Sequence, residues 1–436
     1  MIRVCLAAVL AVVLSLPARA VEIQEVTSPG GITAWLVEEH SIPFAAIELR
    51  FRGGASLDTP GKRGAVNLMM GLLEEGAADM DAQEFLVARE ELAADYGFDA
   101  SNDTVSVSAR FLTENRAASV DLLRKALTEP RFDPTALERV RGQVQSIIAD
   151  NAKDPRHIAN ATFDRMAFGD HPYGSSLNGT AASVAALDRD DIMAAHKAAL
   201  ARDRVYVGVV GDITAEELGP LLDRLLGGLP AEGAPMPKEA PWMLEGGETV
   251  VPFATPQSVA VFGHRGMRED DPDFFAAYIL NHILGGGGFG SRLMAEVREK
   301  RGLTYGVYSY LAPMDHAELI MGQVASANAT VGEAVEVIRA EWRKLARDGI
   351  TAAELDEAKT YLTGAFPLRF DGNSTIARIL AGMQITGRPI DYIDTRNDRI
   401  EAVTLDEINR VAGELLDPEA LHFVIVGEPE GMGAGN

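Results

Sequence analysis

Residues 190–212 read DDIMAAHKAALARDRVYVGVVGD, and residues 406–428 read DEINRVAGELLDPEALHFVIVGE. At a constant offset of 216, without gaps, Ile192 falls on Ile408 and Leu200 on Leu416. Val205, Val207, Val209, Val210 and Gly211 fall on Leu421, Phe423, Ile425, Val426 and Gly427. Each segment reads as a helix followed by a strand that ends at a glycine and an acid. Two further stretches match in the same order. FDPTALERVRGQV (132–144) parallels ITAAELDEAKTYL (350–362) at offset 218, both reading as capped helix starts with acids in the first turn. VDLLR (120–124) parallels VEVIR (335–339) at offset 215. One match between two amphipathic helices carries little weight. Three in one order, with an offset that drifts by loop-sized amounts, point to an internal duplication.

Between the copies lies PAEGAPMPKEAP (230–241), with four prolines in twelve positions. Proline blocks both helix and central strand, so this is the candidate linker. Strand patterns with period 2 occur in both halves. In TVSVSARF (104–111), Val105, Val107, Ala109 and Phe111 share one face. AAIELRFR (45–52) and ELIMGQVA (318–325) behave similarly. Long helical patterns separate the strands. The expected fold class is α+β: two duplicated domains, each a mainly antiparallel sheet with helices packed on one face. The boundaries read as 21–229, a Pro-rich linker 230–245, and 246–436.

The first twenty residues read as a cleavable secretory leader. Arg3 precedes an apolar stretch from Val4 to Leu16, Pro17 breaks it, and Ala18-Arg19-Ala20 forms a small-x-small cleavage pattern. Thirteen apolar residues are short of the roughly 20 that span a bilayer. Cleavage after Ala20 would remove Arg3, Arg19 and Cys5, the only cysteine. The exported chain would then carry 38 basic and 64 acidic residues, hence −26, with no disulfide and no thiol chemistry. A periplasmic location follows as the expectation. The full chain of 436 residues carries −24, which argues against nucleic acid or anionic lipid as the main partner. With 47% hydrophobic residues it can build sizeable cores.

The duplicated halves, the linker and the phrase SRLMAEVREKRGLTYGVYSY (291–310) together resemble the M16 metallopeptidases, the insulinase, pitrilysin and mitochondrial processing peptidase relatives. The resemblance covers nearly the whole chain beyond residue 20. It includes GASLDTPGKRGAVNLMMGLLEEGA (54–77), the stretch that in the family carries the inverted zinc motif H-x-x-E-H. That chemistry needs two His at i and i+4 on one helical face, a Glu to activate the zinc-bound water, and a distal Glu as third ligand. On these positions the chain has Asn67, Met70, Gly71 and Ile147. The resemblance therefore implies no catalytic residue and no metal ligand in this chain. None of the eight histidines (His40, His157, His171, His196, His264, His282, His316, His422) stands three to five residues from another. Glu74 and Glu75 read as a solvated helix end, and 65–73 as a buried structural helix.

Other family features are kept. Gly285, Gly286, Gly287 and Gly288 match the glycine-rich loop that lines the family's peptide chamber. A phosphate-binding loop would need a preceding strand, whereas NHILGG reads as a helix end. Arg298 and Tyr305 match the Arg/Tyr pair that holds the substrate peptide; Arg301 is at the wrong spacing. The strand VSVSARF could offer a sheet edge for an added peptide strand, as in active relatives. The resemblance implies a non-catalytic, peptide-binding subunit of a heteromeric zinc peptidase. Its partner would be a catalytic M16 subunit with H-x-x-E-H that holds the zinc. A scaffold protein without a peptidase role, or an autonomous peptidase with a relocated metal site, are the alternatives.

Overall fold

The computed structural model describes residues 22–432, so the leader reading of residues 1–20 lies outside the described residues. The N-terminal sheet comprises β1 (Gln24–Thr27), β2 (Thr33–Glu38) and β3 (Phe44–Arg52). After a two-residue hairpin, β4 (Gly76–Ala77) with β5 (Met80–Asp81), come β6 (Asp95–Ala100), β7 (Thr104–Leu112) and β8 (Val205–Gly211). The C-terminal sheet comprises β9 (Gly247–Pro252), β10 (Gln257–Arg265), β11 (Val307–Pro313), β12 (Glu318–Ala327) and β13 (His422–Gly427). The strand orders are β1-β2-β8-β3-β7-β6 and β9-β13-β10-β12-β11. Apart from the extra edge strand β1, the two are the same. In both, one pair is parallel (β2 with β8, β9 with β13) and the others are antiparallel.

The repeated glycine has a repeated job. Gly211 (φ 139°) and Gly427 (φ 156°) end β8 and β13, and a side chain on them would collide with Ala45 and Ser258 of the neighbouring strands. The repeated helix starts differ in detail. Thr351 and Glu354 form a reciprocal capping box at the head of Ala352–Ala365. At Pro134–Asn151, Asp133 holds the cap position but its carboxylate is taken by Arg131 at 2.7 Å, and no acid lies in the first turn.

Each half packs its own helices on one sheet face, as expected. The other face is covered as well, by a helix from the opposite half. Asn373–Ile385 lies on β8 and β3 of the N-terminal sheet, and Pro155–Phe168 lies on β10 and β13 of the C-terminal sheet. Side-chain alternation therefore feeds two cores from one strand. Along β2, Ala34 and Leu36 enter the core of their own half, while Trp35 and Val37 meet Ala377, Leu380 and Met383. Along β13, Phe423 and Ile425 face their own helices, while Val424 and Val426 meet Ala159, Phe163 and Ala167. Small residues make the close approach possible: a side chain on Gly208 would strike the carbonyl of Ala377. The residues from 230 to 246 form no helix or strand. They are pinned by backbone bonds, Ala234 N–H to the Ala198 carbonyl (3.1 Å) and Ala240 N–H to the His316 carbonyl (2.8 Å).

A polar latch also joins the halves. The Tyr173 hydroxyl donates to Asp103 and accepts from the backbone N–H of His316 at 3.1 Å. Asp315 takes Arg52 of β3 at 2.9 Å.

Candidate functional site

The positions of the zinc motif sit on Ala65–Met70, a short helix that follows Gly64 (φ 100°). Asp58 replaces a side-chain cap by accepting from Gly64 N–H (2.8 Å) and Val66 N–H (2.9 Å). Ala65, Val66, Leu68, Met69 and Met70 are all buried. Asn67 donates to Asn178 at 2.9 Å, so its amide is occupied within the protein. Met70 is 1% exposed and belongs to the N-terminal core. Gly71 caps the helix, and a Cβ there would come within 3.2 Å of Val140, on the helix that also carries Ile147. Ile147 itself points to solvent, 47% exposed. An amide, a thioether, a bare backbone and an alkyl group cannot replace two imidazoles and two carboxylates, so the residues present do not fit zinc. Glu74 and Glu75 are paired with Arg89 and Arg139. Among the described residues, no group of three His, Cys, Asp or Glu stands close enough to hold a metal ion. His171 and His316, distant in sequence, bring their rings to 6.3 Å at the junction of the halves. His196 and His264 are core groups whose pKa burial lowers. The first bonds the Leu127 carbonyl, and the second accepts from the Trp342 indole.

The glycine-rich segment is built as a break in a helix. Phe274–Asn281 runs into a π-helical turn His282–Gly286, then a 3-10 turn Gly288–Gly290, then a second π-helical stretch Met294–Glu299. Such turns add a residue to the helix, and its backbone pairing is weakened there. Gly285 has no room for a side chain, because Ser309 of β11 lies against it. Asn281 locks the same contact: its Oδ1 accepts from the Ser309 hydroxyl at 2.8 Å and its Nδ2 donates to the Ser309 carbonyl at 3.3 Å. Gly286 and Gly287 pack on Asn281 and His282, while Gly288 (φ 58°) stands in open space. The preceding element is a helix and not a strand, which leaves no phosphate-loop geometry. His282 stacks on Tyr361 with ring centres 5.1 Å apart, and burial holds its pKa below the ordinary imidazole value.

Arg298 closes the second π-helical stretch. Its guanidinium lies 4.6 Å above the ring of Phe289 from the glycine-rich segment. Among the described residues no carboxylate pairs with it. Arg301 and Lys300, by contrast, are both tied to Glu296, at 2.7 and 2.5 Å. Tyr305 is 86% exposed. Its backbone is nonetheless fixed, because Thr304 binds both the Gly306 N–H (3.0 Å) and the Ala325 carbonyl (2.6 Å). The structure thus brings the glycine-rich turn and Arg298 together through Phe289, and sets Tyr305 at the entry to β11.

Two features of this region were not read from the sequence. Strand β7, VSVSARF, is not an edge: it pairs with β3 on one side and β6 on the other. The edge strands are β1 and β6 in the N-terminal sheet and β9 and β11 in the C-terminal one. Strand β11 also carries Tyr308 and Tyr310, stacked at 6.2 Å and more than two-fifths exposed. The Tyr-x-Tyr spacing at 308 and 310 was the available signal, since residues two apart on a strand share a face.

A profile described as insulinase (peptidase family M16) matches residues 34–181, and one described as peptidase M16 inactive domain matches residues 186–362. The chain is 27% identical to the non-peptidase homolog YmxG of Helicobacter pylori over 421 residues, 96% of each chain. It is 23% identical to the uncharacterized zinc protease YmxG of Bacillus subtilis, across 90% of this chain and 95% of that one. Among solved structures, a peptidase M16 inactive domain from Pseudomonas fluorescens superposes with a TM-score of 0.88 at 27% identity, covering 95% of this chain and 99% of that one. A protease from Helicobacter pylori has the same fold, with a TM-score of 0.82 at 18% identity, covering 93% of this chain and 99% of that one.

Proposed function

Because the chain belongs to the peptidase M16 family, we propose that it is a non-catalytic, peptide-binding subunit of an exported heteromeric zinc peptidase. The partner is a related chain with an intact H-x-x-E-H, which supplies zinc, water and general base. This chain lines the substrate chamber with Arg298, Tyr305 and the turn Gly285–Gly288. Its location is the periplasm, as the first twenty residues suggest.

One observation carries the reading: the two candidate sites have had opposite fates. The former motif positions hold no metal donor set, with Met70 in the core, Asn67 bonded to Asn178, Gly71 bare and Ile147 in solvent, whereas Arg298 and Tyr305 keep their polar groups and have no carboxylate partner among the described residues. The name of the Helicobacter relative, a non-peptidase homolog, agrees with the first half of that contrast. An arginine held over an aromatic ring keeps forked donors free for a peptide carbonyl or carboxylate. The Tyr305 phenol can add one more donor where negative charge grows on oxygen.

The test mixes the purified chain with an exported M16 relative that carries H-x-x-E-H, and follows zinc-dependent cleavage of unfolded peptides. Cleavage is expected from the mixture and not from this chain alone, and Arg298→Ala should lower it about tenfold or more. Zinc-dependent cleavage by this chain alone, or an Arg298→Ala mixture as active as the original, would sink the proposal.

A further inference from the structure

A cleft of about 610 Å³ opens beside the glycine-rich turn, between β11, the helix Phe274–Asn281 and the exchanged helix Asn373–Ile385. Its charge is inverted relative to the molecule. In a chain of net charge −24, the lining holds four arginines (Arg50, Arg369, Arg388, Arg396) and one carboxylate, Glu269. Two of the arginines are matched: Arg388 by Glu269 at 2.6 Å, and Arg50 by Glu48 at 3.3 Å. Arg369 is exposed, and among the described residues no carboxylate meets it.

Arg396 is the unusual one. It is 4% exposed, yet no carboxylate pairs with it among the described residues. Its Nη1 donates to the Leu362 carbonyl at 3.0 Å and to Asn397 Oδ1 at 3.1 Å, and its guanidinium lies 4.3 Å from the centre of the Phe366 ring. No protein acceptor meets Nε or Nη2, although Arg396 lines the cleft. A buried guanidinium facing only neutral groups is costly, and such charges are ordinarily paired. A site that keeps one open is prepared for an anion brought from outside. The fork geometry of arginine suits a carboxylate. Much of the remaining wall is apolar, with Phe274, Tyr278, Leu311, Ile379 and Met383. The ligand group is therefore a carboxylate joined to an apolar body.

The cleft also contains Ser309, Tyr310 and Leu311 of β11, one of the two edge strands of its sheet. An open edge offers backbone donors and acceptors to an extended chain. Strand β11 starts two residues after Tyr305 and spans seven residues, so its far end lies roughly 20 Å away. We infer that this cleft receives the C-terminal carboxylate of a peptide with apolar last residues, the rest of the peptide lying along β11 toward Tyr305. The assignment rests on the peptide-binding reading above for the peptide, and on the cleft alone for the carboxylate.

The experiment needs neither partner nor catalysis. A fluorescein-labelled hexapeptide ending in two leucines is titrated with the chain, as free acid and as C-terminal amide, and anisotropy is read. The acid should bind about tenfold or more tighter than the amide. Arg396→Gln should bring the acid down to the affinity of the amide. Should Arg396→Gln fail to fold, Arg369→Ala at an exposed position should still reduce the acid preference about threefold. Equal affinity of acid and amide for the unaltered chain overturns the inference, as does a preference that neither substitution reduces. Decanoate binding as tightly as the peptide acid overturns the peptide assignment. These outcomes are separate from the Arg298→Ala result in the cleaving mixture, so either reading can fail without the other.

Discussion

In the N-terminal half, Ala65–Met70 turns Val66, Leu68, Met69 and Met70 into a core, and Val140 stands against Gly71. In the C-terminal half, Phe289 and Tyr361 stand exposed at a broken helix, and Tyr305 stands exposed just before β11. The sheets beneath have one strand order. The difference lies in what the same frame is asked to hold. Where metal donors are gone, Met70 has joined the core, Asn67 is tied to Asn178, and Gly71 and Ile147 face solvent. Where the glycines and Arg298 remain, packing stops short and leaves side chains without partners.

Separating the halves should break the comparison most severely. Residues 21–229 alone would expose Trp35, Val37 and Ala46, and residues 246–436 alone would expose Val424 and Val426. Neither is expected to melt cooperatively in calorimetry, and mixing them should restore one transition. A cooperative transition from residues 21–229 alone would show that the crossing helix is dispensable.

Rebuilding the lost motif as Asn67→His, Met70→Glu and Gly71→His should cost the next most. Met70→Glu puts a carboxylate where the methionine is 1% exposed, a loss of about 3 kcal/mol or more in urea unfolding. Tight zinc binding by the triple variant in equilibrium dialysis would mean the site had stayed closer to its relatives than its packing implies.

A smaller, pH-dependent effect is expected at Asp164. This residue of the crossing helix Pro155–Phe168 has no hydrogen-bond or ion partner among the described residues, and burial pushes its carboxyl up to about 7. In the unfolded chain it ionises near the ordinary aspartate value of 3.8, so the folded state holds the extra proton between about pH 4 and 7. Stability should therefore fall as pH rises through that window and stay lower above it. Asp164→Asn should stabilise by about 2 kcal/mol at pH 8 and by nothing measurable at pH 3.5, read from thermal melts. Equal gains at both pH values would contradict this.

The smallest change in stability should accompany the largest exposure. Tyr305→Ala should leave the unfolding free energy from urea titration within about 0.5 kcal/mol of the original, while weakening peptide cleavage in the reconstituted mixture. A large loss of stability would make Tyr305 a structural residue.

Much of this was legible in the chain. The offset of 216 between Val205–Gly211 and Leu421–Gly427 marked both duplicated strands, and the family motif placed Asn67, Met70 and Gly71 where zinc ligands stand in relatives. The crossing of Pro155–Phe168 and Asn373–Ile385 was not read, because amphipathic periodicity says that a face is apolar and not which element covers it. A clue was present. VYVGVV and LHFVIV are nearly continuous apolar runs, the pattern of strands covered on both faces. The choice of β7 as an edge failed for a related reason: alternation in VSVSARF fixes which residues share a face but leaves the lateral neighbours open. The arginine cleft joins residues from β3, from the end of the helix at 365 and from the helix at 396, so no local spacing announces it.

The crossing helices also bear on how such a chain assembles. A single half made alone would present a bare sheet face and a loose helix that fits the same face of another copy, which describes a symmetric dimer with swapped arms. Joining two halves through residues 230–246 turns that encounter into an event within one molecule, governed by tether length and no longer by dilution. It also frees the two copies from identity, so that one could lose its ligands while the other kept its glycines.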